Sequence, residues 1–308
     1  MHVLLDLLLS ATLPVFAVSA IGFAMARKGW VVERDAEGIN LFALRVAVPA
    51  LVFRLLAEAD LAGFDWPVLL AYLAAELAIY ALTFALCRYG LGIERREALL
   101  LGMASIFVNG VFFVLPIAAI LYGPEAEQVI TGIVVLDSTL IFGGTIFLCD
   151  LLGRGEAGLG RVMGRFAGNP MIIGMALGLG MSVSGLTMPA GLATYVGFVG
   201  DAAAPAALFA LGVILAKAAL AEGRRAVPLV IAMKMLGQPL VTFALIGAVA
   251  SPGLWSQTAF LFTAGPAGAM PFVIALGYGI RTERIALVVI VTTLISLISL
   301  PGAALLAG

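Results

Sequence analysis

Long apolar stretches separated by short loops dominate this sequence. A helix that crosses the hydrocarbon core of a bilayer needs about 20 mostly apolar residues, and ten segments meet that requirement. They cover residues 3–26, 36–57, 66–88, 95–121, 127–150, 169–187, 191–220, 226–250, 256–280 and 284–307. Hydrophobic residues make up 63% of the chain and charged residues 11%, whereas soluble domains carry about 25% charged residues. The sequence therefore predicts an all-α polytopic membrane protein with ten transmembrane helices.

The loops between these spans alternate in charge. Basic residues follow the odd-numbered spans, and the other loops contain neither lysine nor arginine. The basic loop residues are Arg27, Lys28, Arg34, Arg88, Arg95, Arg96, Arg154, Arg161, Arg165, Lys217, Arg224, Arg225, Arg281 and Arg284. Because cytoplasmic loops carry an excess of basic residues, we expect both termini outside, in the plasma (inner) membrane of a bacterium.

The two halves of the chain resemble each other weakly. Three prolines recur at an offset of 155 or 156 residues: Pro14, Pro49 and Pro116 correspond to Pro170, Pro205 and Pro271. Five spans is an odd number, so a second half built like the first is inverted in the membrane. We therefore predict two inverted repeats, 1–150 and 169–308, joined by a short cytoplasmic loop, 151–168. Chance is the alternative, since proline and glycine are frequent in membrane helices.

Spans four and nine are interrupted at matching places. The candidate substrate-binding residues there are Asn109, Gly110 and Pro116 in span four and Gly265, Pro266 and Pro271 in span nine. Proline removes a backbone donor, and paired interruptions of this kind mark the binding site of many transporters. Half-helices that start near Pro116 and Pro271 would direct N–H groups towards an anion. A simple proline kink is the alternative.

Five ionisable residues fall well inside the spans. Each would cost about 2.5–3.5 kcal/mol at the centre of the bilayer. They are Arg45, Glu76, Asp137, Asp201 and Lys234. Glu76, Asp137 and Lys234 are candidates for coupling or support of transport, with a structural Lys234–Asp137 salt bridge as the alternative.

Three charged residues of spans two and seven have structural interpretations. Arg45 and Asp201 occupy corresponding positions in the two halves. We predict a structural ion pair between them rather than anion binding. Arg54 is expected to extend towards the membrane surface.

Several motifs resemble the auxin efflux carrier family. They are residues 265–279 (GPAGAMPFVIALGYG), Gly38-Ile39-Asn40-Leu41-Phe42 with Ala47-Val48-Pro49, the stretch from Asn109 to Pro116, Asn169-Pro170, and Asp201-Ala202 with Leu211-Gly212. The resemblance covers the whole chain. It implies a scaffold from spans 1, 2, 6 and 7 and a transport unit from spans 3–5 and 8–10. The broken spans four and nine cross within the transport unit. Movement of the transport unit past the scaffold gives elevator-type alternating access.

The sequence departs from the plant members of that family. Its loop 151–168 is short, Tyr80 replaces a lysine one turn after Glu76, and Ala264 stands where span nine would need a counterpart of Asn109. Bacterial members are associated with small carboxylates such as malonate, malate or lactate. The resemblance thus implies a secondary transporter of a small organic anion, an auxin-like acid included. A sodium-coupled carrier of the bile-acid type and a passive channel are the alternatives.

Enzymatic and nucleic-acid functions fit the composition poorly. The single histidine is His2, the two cysteines are Cys87 and Cys149, and the net charge is −1. No metal site and no cofactor are predicted. If transport is driven by an ion, H⁺ or Na⁺ is the expected coupling ion. The expected partners are the anion, membrane lipid and a second copy of the chain bound through the scaffold helices.

Overall fold

The computed structural model describes residues 13–152, 159–216 and 225–307, and within these ranges the regular elements are helices. We number them α1 Leu13–Arg27, α2 Glu33–Ala57, α3 Trp66–Gly90, α4 Arg95–Ala104, α5 110–122, α6 Ala126–Leu152, α7 Leu159–Ala167, α8 Pro170–Ser184, α9 Ala190–Gly200, α10 Ala203–Leu215, α11 Ala226–Val249, α12 Leu254–Thr263, α13 Met270–Gly277 and α14 Glu283–Ala307. The start of the first predicted span and Arg154, Lys217 and Arg224 lie outside the described residues.

Five helical segments of the described chain are long and apolar enough to cross a membrane. They are α2, α3, α6, the continuous stretch Ala190–Ile214 that contains α9 and most of α10, and α11. The interrupted spans four and nine are each divided between two shorter helices, α4 with α5 and α12 with α13. The protein is therefore an all-helical membrane protein, as the sequence predicts.

One helix was missed in the sequence. Half of the predicted loop 151–168 is occupied by α7. Its apolar residues Leu159, Met163 and Phe166 recur at helical spacing, and the Phe166 ring packs edge-on against Phe147 of α6 with centroids 5.5 Å apart. A helix of nine residues is too short to span the bilayer, so α7 is compatible with a connection between two spans.

Glycine allows α8 to pack closely on α2. A Cβ atom at Gly174 would meet the backbone carbonyl of Pro49, and one at Gly178 would meet that of Phe53. The Ser182 hydroxyl donates to the Ala59 carbonyl oxygen at 2.8 Å in the same interface. Small residues let membrane helices approach to this distance.

The contact between α1 and α10 is built in the same way. Added Cβ atoms at Gly22 and Gly212 would collide with the backbone carbonyls of Phe209 and Ser19. The Ser19 hydroxyl donates to the Leu208 carbonyl oxygen at 3.1 Å. Helices α1, α2 and α8–α10 thus form one closely packed group, which we call the first group; α3–α6 and α11–α14 form the second.

An ion pair within the first group corrects one sequence prediction. Asp201, which follows α9, pairs with Arg54 of α2 at 2.9 Å between Oδ1 and Nη2. The predicted Arg45–Asp201 pair was wrong, because Arg54 lies closer to Asp201 once α9 packs on α2. The side chains of Arg54 and Asp201 are 25% and 70% exposed, so the expected extension of Arg54 towards the membrane surface is compatible with this pair and stays a prediction.

Candidate functional site

The two interrupted spans cross and bond to each other. Val108 and Ala267 form an isolated antiparallel β-bridge. The Asn109 N–H donates to the Pro266 carbonyl oxygen at 2.9 Å, and the Gly268 N–H donates to that of Phe107 at 2.8 Å. Each non-helical segment thus satisfies part of the backbone polarity of the other, which a segment inside a bilayer requires.

Three glycines permit this crossing. A Cβ atom at Gly110 would enter the ring of Phe262, and one at Gly265 would meet the side chains of Val108 and Val114. At Gly268 a Cβ atom would lie 3.2 Å from the Val108 carbonyl oxygen. Their primary role is therefore to let the two segments touch.

The helices that follow the crossing begin there. Helix α5 begins at Gly110 with a π-helical turn and continues through Leu115–Tyr122. Pro116 therefore lies inside the helix rather than at its start, which corrects the expected N-terminus. Helix α13 begins at Met270, with Pro271 in its first turn. The first N–H groups of a helix have no intrahelical partner and carry partial positive charge.

A cavity of about 90 Å³ lies beside the crossing. Its first wall comes from Val48, Leu51, Val52 and Leu55 of α2 with Ala204 and Leu208 of α10. Residues 107–110 and 268–270 form the opposite wall. The polar side chains on it are Asn109, Asp137 and Ser138, so the cavity is mostly apolar with a few placed polar groups, as ligand sites usually are.

Five of the six predicted binding residues divide into two sets, and the sixth, Pro116, lies within α5. Asn109 and Gly110 line the cavity, and the Asn109 side chain does not cap the helix that follows it. Gly265, Pro266 and Pro271 are not among the lining residues; the first two hold the crossing together. In span nine the lining comes from Gly268, Ala269 and Met270 instead.

A buried polar cluster adjoins the cavity. Glu76 Oε1 accepts from the Tyr72 hydroxyl at 2.7 Å and from Gln238 Nε2 at 3.3 Å. Asp137 interacts electrostatically with Glu76, and Glu76 and Asp137 are 0% and 2% exposed. Each leaves one buried carboxyl oxygen, Glu76 Oε2 and Asp137 Oδ1, without a hydrogen-bond partner. Two neighbouring buried carboxyl groups favour holding one proton between them, because like charges raise the cost of ionising both. Since Asp137 also lines the cavity, it connects the buried cluster with the candidate binding site.

Helix α11 ties this cluster to both crossing segments. Lys234 Nζ donates to the Thr263 carbonyl oxygen at 2.8 Å, where α12 ends. Gln238 Nε2, one turn later, donates to the Ile106 carbonyl oxygen at 2.8 Å, just after α4. Positive charge and N–H donors are favourable at the carbonyl ends of helices. The predicted Lys234–Asp137 salt bridge is not formed within 4 Å among the described residues, although Lys234 interacts electrostatically with both acids.

Sequence reasoning missed Tyr72 and Gln238. Each lies four residues from a charged residue that it did select, Glu76 and Lys234 respectively. Residues four apart share a helix face, so a polar residue at that spacing in an apolar span was a usable signal. The carbonyl partners could not be found in this way, because they lie in other helices.

Comparisons with known proteins give a consistent result. The family described as "Membrane transport protein" matches residues 7–158 and 159–303. A protein named "Putative malonate transporter" from Rhizobium meliloti (strain 1021) is 26% identical, over 94% of this chain and 92% of its own. An "Uncharacterized transporter" from Methanothermobacter thermautotrophicus is also 26% identical, over 94% and 95%. "Auxin efflux carrier component 8" of Arabidopsis thaliana is 26% identical over 46% of this chain and 40% of its own.

Proposed function

Because this chain belongs to the membrane transport protein family, the family of the auxin efflux carriers, we propose that it is a secondary transporter of a small organic anion. The family is one of transporters and not of enzymes. The observation that carries the proposal is the cavity at the crossing, where two helix N-termini and the Asn109 amide meet.

The chemistry of this cavity suits a carboxylate. A carboxylate that leaves water needs donors, since an unpaired buried polar group costs several kcal/mol. Helix N-termini provide N–H donors and partial positive charge without a further full charge in the bilayer. At about 10–15 Å³ per water-sized group, a cavity of about 90 Å³ fits a short aliphatic acid such as malonate, malate or lactate better than a bile acid. The relative named for malonate supports the same class.

The packing supports an elevator mechanism. We assign spans 1, 2, 6 and 7 (the first group) to a static scaffold and spans 3–5 and 8–10 (the second group) to a moving transport unit, in a ten-span protein built of inverted repeats. Among the described side chains, one hydrogen bond joins the two groups, from Asn40 Nδ2 to the Val273 carbonyl oxygen at 3.3 Å. A sliding interface needs few such bonds, whereas the scaffold is joined internally by Arg54–Asp201 and by close glycine contacts.

The buried cluster supports coupling to protons. With one proton between Glu76 and Asp137, the charge of Lys234 neutralises the cluster; without it, the net charge is −1. Two unit charges about 6 Å apart at an effective dielectric of about 20 repel by about 3 kcal/mol. A substrate anion beside Asp137 is therefore expected to bind about a hundredfold more weakly when the proton is absent. Uptake that depends on pH and ignores Na⁺ would separate this carrier from a sodium-coupled one.

Replacing Asn109 by Ala tests the binding site. Loss of one hydrogen bond to a charged ligand costs up to about 1.5–3 kcal/mol. Partial compensation by water lowers this cost to about 1–2 kcal/mol, so we expect a five- to thirtyfold loss of affinity. The measurement is a thermal-shift titration with malonate, malate and lactate, since a ligand of the native state raises the melting temperature.

Asn109→Asp is the matched variant. It keeps the shape of the side chain but places a carboxylate in the cavity, so it should weaken anion binding more than Asn109→Ala does. Unliganded melting temperatures should change little in the alanine variant. Undiminished binding by both variants would exclude Asn109 from the site.

Cysteine labelling tests the orientation. Lys28→Cys and Tyr89→Cys lie in exposed positions of predicted inner loops, and Asp60→Cys and Ser251→Cys in exposed positions of predicted outer loops. We expect an impermeant maleimide to label only the second pair in intact cells, and both pairs after permeabilisation. The native cysteines Cys87 and Cys149 are buried, which keeps the background low. The opposite pattern would reverse the topology.

A further inference from the structure

Arg45 is a charged residue with an exposed side chain near the middle of the long apolar helix α2. It lies in the π-helical turn Ala43–Ala47 of α2, twelve residues after Glu33, which is about 18 Å along the helix at about 1.5 Å per residue. An arginine at this depth is expensive unless it meets water or an anion. Its surroundings therefore indicate its role.

No protein group of the described chain neutralises Arg45. Asp201, its predicted partner, is bound by Arg54, and Arg45 makes no hydrogen bond or ion pair with any residue that the structure describes. The guanidinium therefore has its five N–H donors available.

Arg45 lines a second cavity, of about 220 Å³. Arg45 and Asn169, at the start of α8, contribute from the scaffold side. Asp150 of α6 and Tyr278, which follows α13, contribute from the transport unit. The cavity thus lies between the two groups of helices, and it opens near the ends of α6 and α13 that the charge pattern assigns to the cytoplasm.

The two cavities share one face of α2. Arg45, Val48, Val52 and Leu55 are spaced by three, four and three residues, which places them on one stripe of a helix. The last three line the cavity at the crossing, and Arg45 is the next position towards the cytoplasm. Beside the second cavity, α13 approaches α2 so closely that a Cβ atom at Gly277 would collide with Leu44, which also lines that cavity.

We propose that Arg45 binds the carboxylate of the transported anion in this second cavity, on the cytoplasmic half of the route. The inference rests on the proposed transport function and adds to it an anion-binding residue on the scaffold. The guanidinium can donate two parallel N–H bonds to a carboxylate. The Asn169 Oδ1 accepts from the Met171 N–H at 3.0 Å, so its amide nitrogen remains as a second donor beside the anion.

Asp150 gives the cavity an opposite charge on its far wall. It interacts electrostatically with Tyr278 on the same wall and lies more than 4 Å from Arg45, since the two form no ion pair. In the empty cavity Asp150 acts as a distant countercharge for Arg45. A carboxylate that enters the cavity pairs with Arg45 at hydrogen-bond distance and replaces Asp150 as its countercharge. When the carboxylate leaves, Asp150 again provides the countercharge. The anion is therefore expected to pass through the cavity rather than stay bound.

Sided transport measurements test this role. Inverted and right-side-out membrane vesicles that contain the full chain are assayed for radiolabelled malonate exchange, with malate and lactate as alternative probes. For Arg45→Gln we expect the half-saturating concentration on the cytoplasmic side to rise about ten- to hundredfold and that on the outer side to change less than twofold. Arg45→Lys, which keeps the charge, should restore part of the cytoplasmic affinity. Arg34→Gln, an exposed charge on the same helix, is the matched control and should leave both sides unchanged.

Each other outcome has a defined meaning. If the wild-type protein exchanges none of the three acids, the proposed function fails, and the inference fails with it. If the wild type exchanges an acid and Arg45→Gln leaves its cytoplasmic half-saturation unchanged, or raises both sides equally, only the role of Arg45 is refuted. The role of Arg45 is also refuted if Arg45→Gln lowers the melting temperature as much as the loss of a structural ion pair would. An unpaired arginine should not stabilise the fold.

Discussion

Glu76→Gln is expected to abolish concentrative uptake while leaving exchange intact. The amide keeps the shape of the side chain and can still contact Tyr72 and Gln238, which both donate to Glu76. It cannot bind or release a proton, so the cluster beside the cavity can no longer change its charge. We expect the ratio of internal to external substrate under an imposed pH gradient to fall to one. Exchange of labelled for unlabelled substrate should continue, because it needs no net proton movement.

Tyr72→Phe is the control for this experiment. It removes the 2.7 Å hydrogen bond to Glu76 but leaves the acid able to titrate, so uptake should stay concentrative with an altered pH profile. If Glu76→Gln accumulates substrate like the wild type at every pH, Glu76 has no part in coupling. If both uptake and exchange are lost, the effect is structural.

Gly212→Ala is expected to destabilise the first group of helices by about 2–3 kcal/mol, the upper part of the usual range for overpacking. The new Cβ atom would collide with the Ser19 carbonyl oxygen and lie 3.0 Å from the Phe23 backbone nitrogen. Backbone atoms of a packed helix cannot rotate away as a side chain can, so α1 and α10 must separate. We expect a fall of several degrees in the melting temperature of the purified protein and a lower yield of folded protein.

Gly180→Ala serves as the matched substitution. Gly180 is also a glycine of a membrane helix, but nothing lies within 4 Å of an added Cβ atom. Alanine is the better helix former by about 1 kcal/mol, so this variant should be neutral or slightly stabilised. Equal melting temperatures for both variants would show that the close contact of α1 with α10 contributes little to stability.

Composition and periodicity predicted the class of protein and the position of its interruptions. Apolar length follows directly from the thickness of the bilayer, and glycine and proline mark the places where a helix cannot continue. In the motif Gly174-x-x-x-Gly178-x-Gly180 the first two glycines pack against α2, whereas Gly180 faces open space. A motif specifies spacing along a helix, and only the neighbouring helix decides which of its members are in contact.

Partners between helices were the part that could not be predicted. Asp201 binds Arg54 and not Arg45, a difference of nine positions along α2 that depends on how α9 is placed against it. The bond from Gln238 to the Ile106 carbonyl spans 132 residues, and no local pattern encodes it. Helix α5 begins at Gly110 rather than near Pro116, because a π-helical turn, Gly110–Val114, extends the helix ahead of the proline.

The bridge between Val108 and Ala267 constrains how the protein is made. The crossing segment of span four finds its backbone partners only in residues that are synthesised 159 positions later. At about 5–20 residues per second, the ribosome takes roughly 8–30 s to reach them. During that interval the N–H of Asn109 and the C=O of Phe107 lack their native partners. Inside a bilayer such groups need other partners, such as water, the insertion machinery or a temporary helix, so the crossing forms only after span nine has been made.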